Sequence, residues 1–149
     1  MVGNNGSILP ELGLAAWQSI ILDASSTPGK AEIKKQGVRI SGPGPHSTAA
    51  VTTIRLSPGY YFIQGNVFGD IPATGTGAGY GMGFLGMHNL QWYTKEKGGW
   101  HVEEIFAIEQ PTTQAFGLIV GGFGTVNGGA SFSDVEIHRL RYEALKSIH

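Results

Sequence analysis

His101, Val102 and Glu103 set an imidazole and a carboxylate two residues apart, which on an extended strand puts both on one face. With a serine or aspartate brought in from elsewhere, such a pair could serve a hydrolytic site. No nucleophile elbow accompanies it, and the five histidines, His46, His88, His101, His138 and His149, lack metal-ligand spacing such as H-E-x-x-H. Glu103 and Glu104 point to opposite faces of a regular strand, so they cannot act together as an acid/base pair. Asp70 or Glu136 could supply a second carboxylate, but the pattern selects neither. No catalytic residue is assigned, and the chain is expected not to be an enzyme.

Rings and amides carry a different chemistry. Tyr60, Phe62, Gln64, Asn66 and Phe68 alternate along one strand and so share a face. Together with Trp92 and Tyr93 they can line a groove in which rings stack on sugars and amides bond hydroxyls. The same residues suit contact with a neighbouring subunit or plain packing, and all three readings stay open. Gly81-Met82-Gly83-Phe84-Leu85-Gly86 matches G-x-G-x-x-G, but Gly75, Gly77, Gly79, Gly81 and Gly83 alternate along an apparent strand with no helix signal after it. These glycines are expected to admit a neighbouring backbone rather than a nucleotide.

The elements that position these groups are short strands. Ser57-Pro58-Gly59-Tyr60 reads as a type II turn that reverses the chain, and beyond it Tyr61, Ile63, Gly65 and Val67 form the core face opposite the ring-and-amide face. Strands are expected over Trp17–Leu22, Ala31–Lys35, Val38–Ser41, Val51–Leu56, Tyr60–Phe68, Gly79–His88, Gln91–Thr94, Trp100–Ile108, Ala115–Val120 and Ser131–Leu140. The small, Gly-rich run Ile71–Gly79 is expected to be a mobile loop. Many short strands joined by Gly/Pro turns argue for an antiparallel sandwich.

Composition narrows the partners. The chain has 149 residues, 24 glycines, no cysteine, a charged fraction of 14% and a net charge of -1. That balance gives no field for nucleic acid, and without cysteine there is no disulfide or thiolate chemistry. No signal peptide or membrane span is read, so a soluble protein is expected. One jelly-roll domain over residues 10–142 is expected, with an N-terminal arm at 1–9 and a C-terminal tail at 143–149.

In order, Ile8-Leu9-Pro10 with Trp17, Val38 to Gly42, Leu56 to Val67, Trp100 with Phe106, Gly117 to Val120 and Ala130 to Ile137 resemble the jelly-roll carbohydrate-binding modules that accompany glycoside hydrolases. The resemblance implies an all-β, two-sheet antiparallel jelly-roll β-sandwich. It also implies a structural calcium, for which the matching carboxylates are Glu11 and Asp134, with Ser133 standing where the family carries a second acid. Calcium takes 6 to 8 oxygen ligands, so carbonyls and waters would have to complete the set. Two functions are expected. The first is a non-catalytic virion surface component, a phage capsid-decorating (cement) or tail-fibre subunit, acting as a homo-oligomer within a larger protein assembly. The alternative is a carbohydrate-binding module that recognises a glycan through Tyr60, Phe62, Gln64, Asn66, Phe68, Trp92 and Tyr93. Neither reading involves nucleic acid or membrane.

Overall fold

The computed structural model describes residues 6–12 and 15–141. Among them the strands are β1 (Gln18–Ile21), β2 (Lys30–Lys34), β3 (Gly37–Ser41), β4 (Thr48–Leu56), β5 (Gly59–Gly69), β6 (Thr74–Gly75), β7 (Gly79–Phe84), β8 (Gln91–Thr94), β9 (Gly98–Ile108), β10 (Thr112–Gly121), β11 (Val126–Asn127) and β12 (Ala130–Arg139). A 3₁₀ turn, His88–Leu90, precedes β8. Two antiparallel five-stranded sheets result: sheet I in the order β1-β4-β10-β7-β8 and sheet II in the order β2-β3-β12-β5-β9. This is the jelly-roll β-sandwich expected from the sequence.

Alternation decides what lies between the sheets. Tyr61, Ile63 and Val67 of β5, Phe132 and Ile137 of β12, and Val102 and Phe106 of β9 are buried; from sheet I come Tyr80, Met82, Phe84, Phe116, Leu118 and Val120. Phe84 meets Phe106 and Phe116 edge-on, with ring centroids 5.5 and 5.3 Å apart, and Tyr61 stacks on Phe106 at 5.4 Å. Burying each such ring stabilises the fold by roughly 1.5–3 kcal/mol. Two glycines of β5 receive side chains from the facing sheet: a Cβ on Gly65 would lie 2.9 Å from Met82 Cε, and one on Gly69 would lie 2.6 Å from the Tyr80 ring.

The Pro-Gly segment differs from its expected form. β4 belongs to sheet I and β5 to sheet II, so Ser57 to Tyr60 is a corner between layers rather than a hairpin. Gly59 has φ +151° in place of the roughly +80° of a type II turn. Arg139, at the end of β12, clamps the corner by binding the Ser57 hydroxyl and donating to the Pro58 carbonyl at 2.6 Å.

Three other regions sharpen the reading. Within the run expected to be a mobile loop, β6 pairs with β11, and the Tyr80 hydroxyl donates to the Ile71 carbonyl at 2.8 Å. His46 is fully buried, its Nδ1 2.9 Å from Thr48 Oγ1 and its Nε2 2.9 Å from the Gly128 carbonyl. That carbonyl only accepts, so Nε2 carries a hydrogen, and in the neutral ring Thr48 donates to Nδ1. Residues of the expected arm lie along β12: Ile8 N donates to Ile137 O at 2.8 Å, and Ile137 N donates to Ser7 Oγ at 3.0 Å. Residues 1–5 of that arm and the tail 143–149 lie outside the described residues. The glycine motif falls on β7, where a Cβ on Gly81 would run into the Trp92 carbonyl and come 2.7 Å from the Tyr93 ring. Among the described residues no helix is long and apolar enough to cross a membrane.

Candidate functional site

The outer face of sheet II gathers side chains that are distant in sequence. Register places Asn66 of β5 between His101 of β9 and Ser133 of β12, and Phe68 between Gly99 and Ser131. Gly99 leaves the space opposite Phe68 empty of side chain, and the Phe68 ring stays 53% exposed. The result is an open depression of about 440 Å³ lined by Asn66, Phe68, Gly99, His101, Ser131 and Ser133, with Val67 and Trp100 beneath. A half-exposed ring beside hydroxyl, amide and imidazole groups can stack on an apolar face while bonding polar edges.

A polar row crosses the three strands. Asn66 Oδ1 lies 2.7 Å from His101 Nδ1, Asn66 Nδ2 donates to Asp134 Oδ2 at 3.2 Å, and His101 Nε2 lies 3.4 Å from Glu103 Oε1. The pairing of β12 with β5 shifts between Ser133 and Glu136, and within that bulge Asp134 adopts φ +52°. Beside the row, Arg39 grips Asp70 through both guanidinium ends, Nη1 to Oδ1 being 2.8 Å. Asp70 thereby holds the Arg39 proton more firmly than usual. Farther along β12, His138 Nε2 sits 2.6 Å from Glu136 Oε1.

The residues expected to make contact divide between the two sheets. Tyr60, Phe62, Gln64, Asn66 and Phe68 do share the outer face of sheet II, and Asn66 and Phe68 enter the depression. Tyr60 and Phe62 sit toward the other end, where Phe62 faces Ile105 across the ladder. Trp92 and Tyr93 do not join them, because β8 is the edge strand of sheet I. The Trp92 ring packs 6.1 Å from Phe106 against the core. Tyr93 lies over Gly81 and beside Gly122, and its hydroxyl donates to Gln91 Oε1 at 3.0 Å. Burial there pushes its phenol up to about 12. A single groove through all seven residues is therefore not formed. Gly99 and Ser131 join the site unannounced by the sequence, and Ser133, which the resemblance places only at a calcium position, joins it too; their period-two spacing around His101 and Phe132 is the signal that could have found them.

The His101–Glu103 pair forms as its spacing required, but His101 Nδ1 is engaged by Asn66 rather than by a serine. Glu11 is exposed ahead of β1, and Asp134 is engaged by Asn66. Among the described residues no three His, Cys, Asp or Glu side chains converge. A calcium held by these two carboxylates would need carbonyl and water oxygens to complete its set of 6 to 8.

No protein-family model matches the chain, and no curated protein sequence matches it. Solved structures do share its fold. The CBM22-1 xylan-binding domain from Paenibacillus barcinonensis Xyn10C superposes with a TM-score of 0.52 at 8% identity, over 91% of this chain and 92% of that one. The family 11 carbohydrate-binding module from Clostridium thermocellum, in complex with a β-1,3-1,4-mixed-linked tetrasaccharide, gives 0.50 at 11% identity over 89% and 95%. A family 16 carbohydrate-binding module gives 0.50 at 12% identity over 75% and 86%. At such identities the likeness establishes a shared jelly-roll fold.

Proposed function

We propose that this chain is a non-catalytic carbohydrate-binding module whose ligand lies in the depression on the outer face of sheet II. The observation that carries the reading is the Phe68 ring, 53% exposed, beside the Asn66–His101 pair and the Ser131 and Ser133 hydroxyls in an open site. Neighbours of the same fold that are themselves carbohydrate-binding modules support it. The test is affinity electrophoresis of the protein through gels cast with soluble polysaccharides, followed by amide chemical-shift mapping with whichever retards it. Shifts centred on Asn66, Phe68, His101 and Ser131 are expected. Retardation by none of the glycans, or shifts confined to sheet I, would refute the proposal.

A second reading rests on a separate patch. Tyr60 at 50% and Ile105 at 45% exposure flank the half-buried Phe62 on the same face, an apolar surface suited to another protein. The virion surface subunit, with its homo-oligomer and larger assembly, would use this patch, and light scattering that finds a stable oligomer dissociated by Ile105→Glu would favour it. The neighbours of known structure favour the glycan reading. Calcium on Glu11 and Asp134 is tested by chelation: a melting temperature that falls in EDTA supports it, and an unchanged one rules it out.

A further inference from the structure

We infer, on the premise that the depression binds a glycan, that Asp134 is the positioning residue of the site, and that the row it fixes selects uncharged, hydroxyl-rich glycans over those bearing carboxylates or sulfates. Asp134 stands at φ +52° inside the bulge between Ser133 and Glu136. Bulges re-aim side chains, and this one turns a carboxylate out of the ladder toward Asn66. An ionised carboxylate only accepts hydrogen bonds, so Asn66 must offer it Nδ2, which lies 3.2 Å from Asp134 Oδ2. Asn66 Oδ1 is thereby committed to His101, 2.7 Å from Nδ1. An amide oxygen also only accepts, so the hydrogen of the neutral imidazole is fixed on Nδ1.

The consequence falls on the exposed edge of the ring. His101 Nε2 then carries a lone pair, 3.4 Å from Glu103 Oε1. Two acceptors at that spacing converge on one donor, and a sugar hydroxyl supplies it. A carboxylate or sulfate has no hydrogen to give and meets the charges of Asp134 and Glu103 instead. Arg39, the cation beside Ser131, is already paired with Asp70 and does not offset them. Lys30 and Lys34 stand on β2, separated from β12 by β3; Lys34 pairs with Gly37, which borders Ser133, so its charge lies at the β12 side of the row, away from Glu103 on β9.

Asp134→Asn is the discriminating variant. Asparagine tolerates the left-handed backbone, yet its side chain donates as well as accepts, so Asn66 is free to turn over. In the ligand-free protein, ¹⁵N spectra of the His101 ring are expected to show the Nδ1–H tautomer, and the variant is expected to show a mixture. Asn66→Ala, which removes the link itself, is expected to give the same mixture. An Nε2–H wild type, or a tautomer indifferent to both substitutions, overturns the lock whatever the protein binds. Titration calorimetry then compares a neutral polysaccharide with a uronate-bearing and a sulfated one. The wild type is expected to favour the neutral glycan at least about tenfold, and Asp134→Asn to weaken that binding about tenfold. Equal or tighter binding of an anionic glycan overturns the selectivity. Binding of no glycan at all sinks the glycan reading and the selectivity with it, and the tautomer alone then decides the lock.

Discussion

Phe68→Ala separates a binding ring from a packing ring. Phe68 is 53% exposed, and an aromatic side chain carries roughly 200 Å² of surface, so about 100 Å² is free for a ligand to cover. At about 25 cal/mol per Å², complete coverage contributes about 2.5 kcal/mol, and covering one face contributes about half of that. Since about 1.4 kcal/mol is a factor of ten, the substitution is expected to weaken glycan binding roughly 10- to 70-fold. The covered half of the ring, roughly 95 Å², is lost as well, so the substitution should also destabilise the fold by about 2 kcal/mol. Titration calorimetry reads the affinity, and a melt should stay within about 10 °C of wild type. Unchanged affinity would refute the placement of the site. A large fall in melting temperature would refute the accounting, by showing Phe68 to be a packing residue.

Three further outcomes test the fold around the site. His46→Ala removes a buried ring bonded to Thr48 and Gly128, and urea unfolding should show a loss of about 3 kcal/mol; less than about 1 kcal/mol would mean that the ring joins nothing essential. Thr52 is 3% exposed and its Oγ1 has no partner among the described residues, so Thr52→Val should stabilise by about 1 kcal/mol; a destabilised valine variant would reveal a bond to that hydroxyl. The Tyr93 phenol is pushed up to about 12 by burial, against about 10 in an unfolded chain. The unfolded state therefore loses its proton first, so this contribution is fully present below about pH 10 and is lost as pH rises toward 12. Urea midpoints measured across that range should fall less steeply in Tyr93→Phe, and identical slopes would show the phenol to be open to solvent.

How much could be read in the residues depends on whether the signal was local. The faces of β5 follow from alternation within one strand, and Tyr61, Ile63 and Val67 are buried as that pattern required. The glycines of β7 announced a close approach, and Gly81 against the Trp92 carbonyl is one. Chemistry alone groups Trp92 and Tyr93 with Phe62 and Phe68; which sheet β8 joins depends on its pairing with Tyr80 to Gly83, which no local pattern encodes. The Asn66–His101 contact needs the register of β5 on β9, set by side chains along two eleven-residue strands. The bulge at Asp134 was hidden for another reason. Adjacent polar Ser133 and Asp134, between buried Phe132 and Ile137 at an odd spacing, break the alternation, but a break alone does not say how the strands pair; the mismatch with Asn66 and Gln64 across the ladder does.

The position of β12 governs how this protein can be made. It lies between β3 and β5, and the β2–β3 pair reaches the rest of sheet II only through it. Ile40 of β3 pairs with Ala130, and Asn66 of β5 with Ser133, so both seams wait for residues that leave the ribosome last among those described. Until then β3 and β5 each present an unpaired edge, the kind of surface on which nascent chains stick to one another. Closure of such long loops also slows folding. The outer face of sheet II, with the proposed site on it, is thus assembled in a single late step, and a translation arrest before Ala130 would release a chain with a complete β5–β9 ladder and half of the depression's lining.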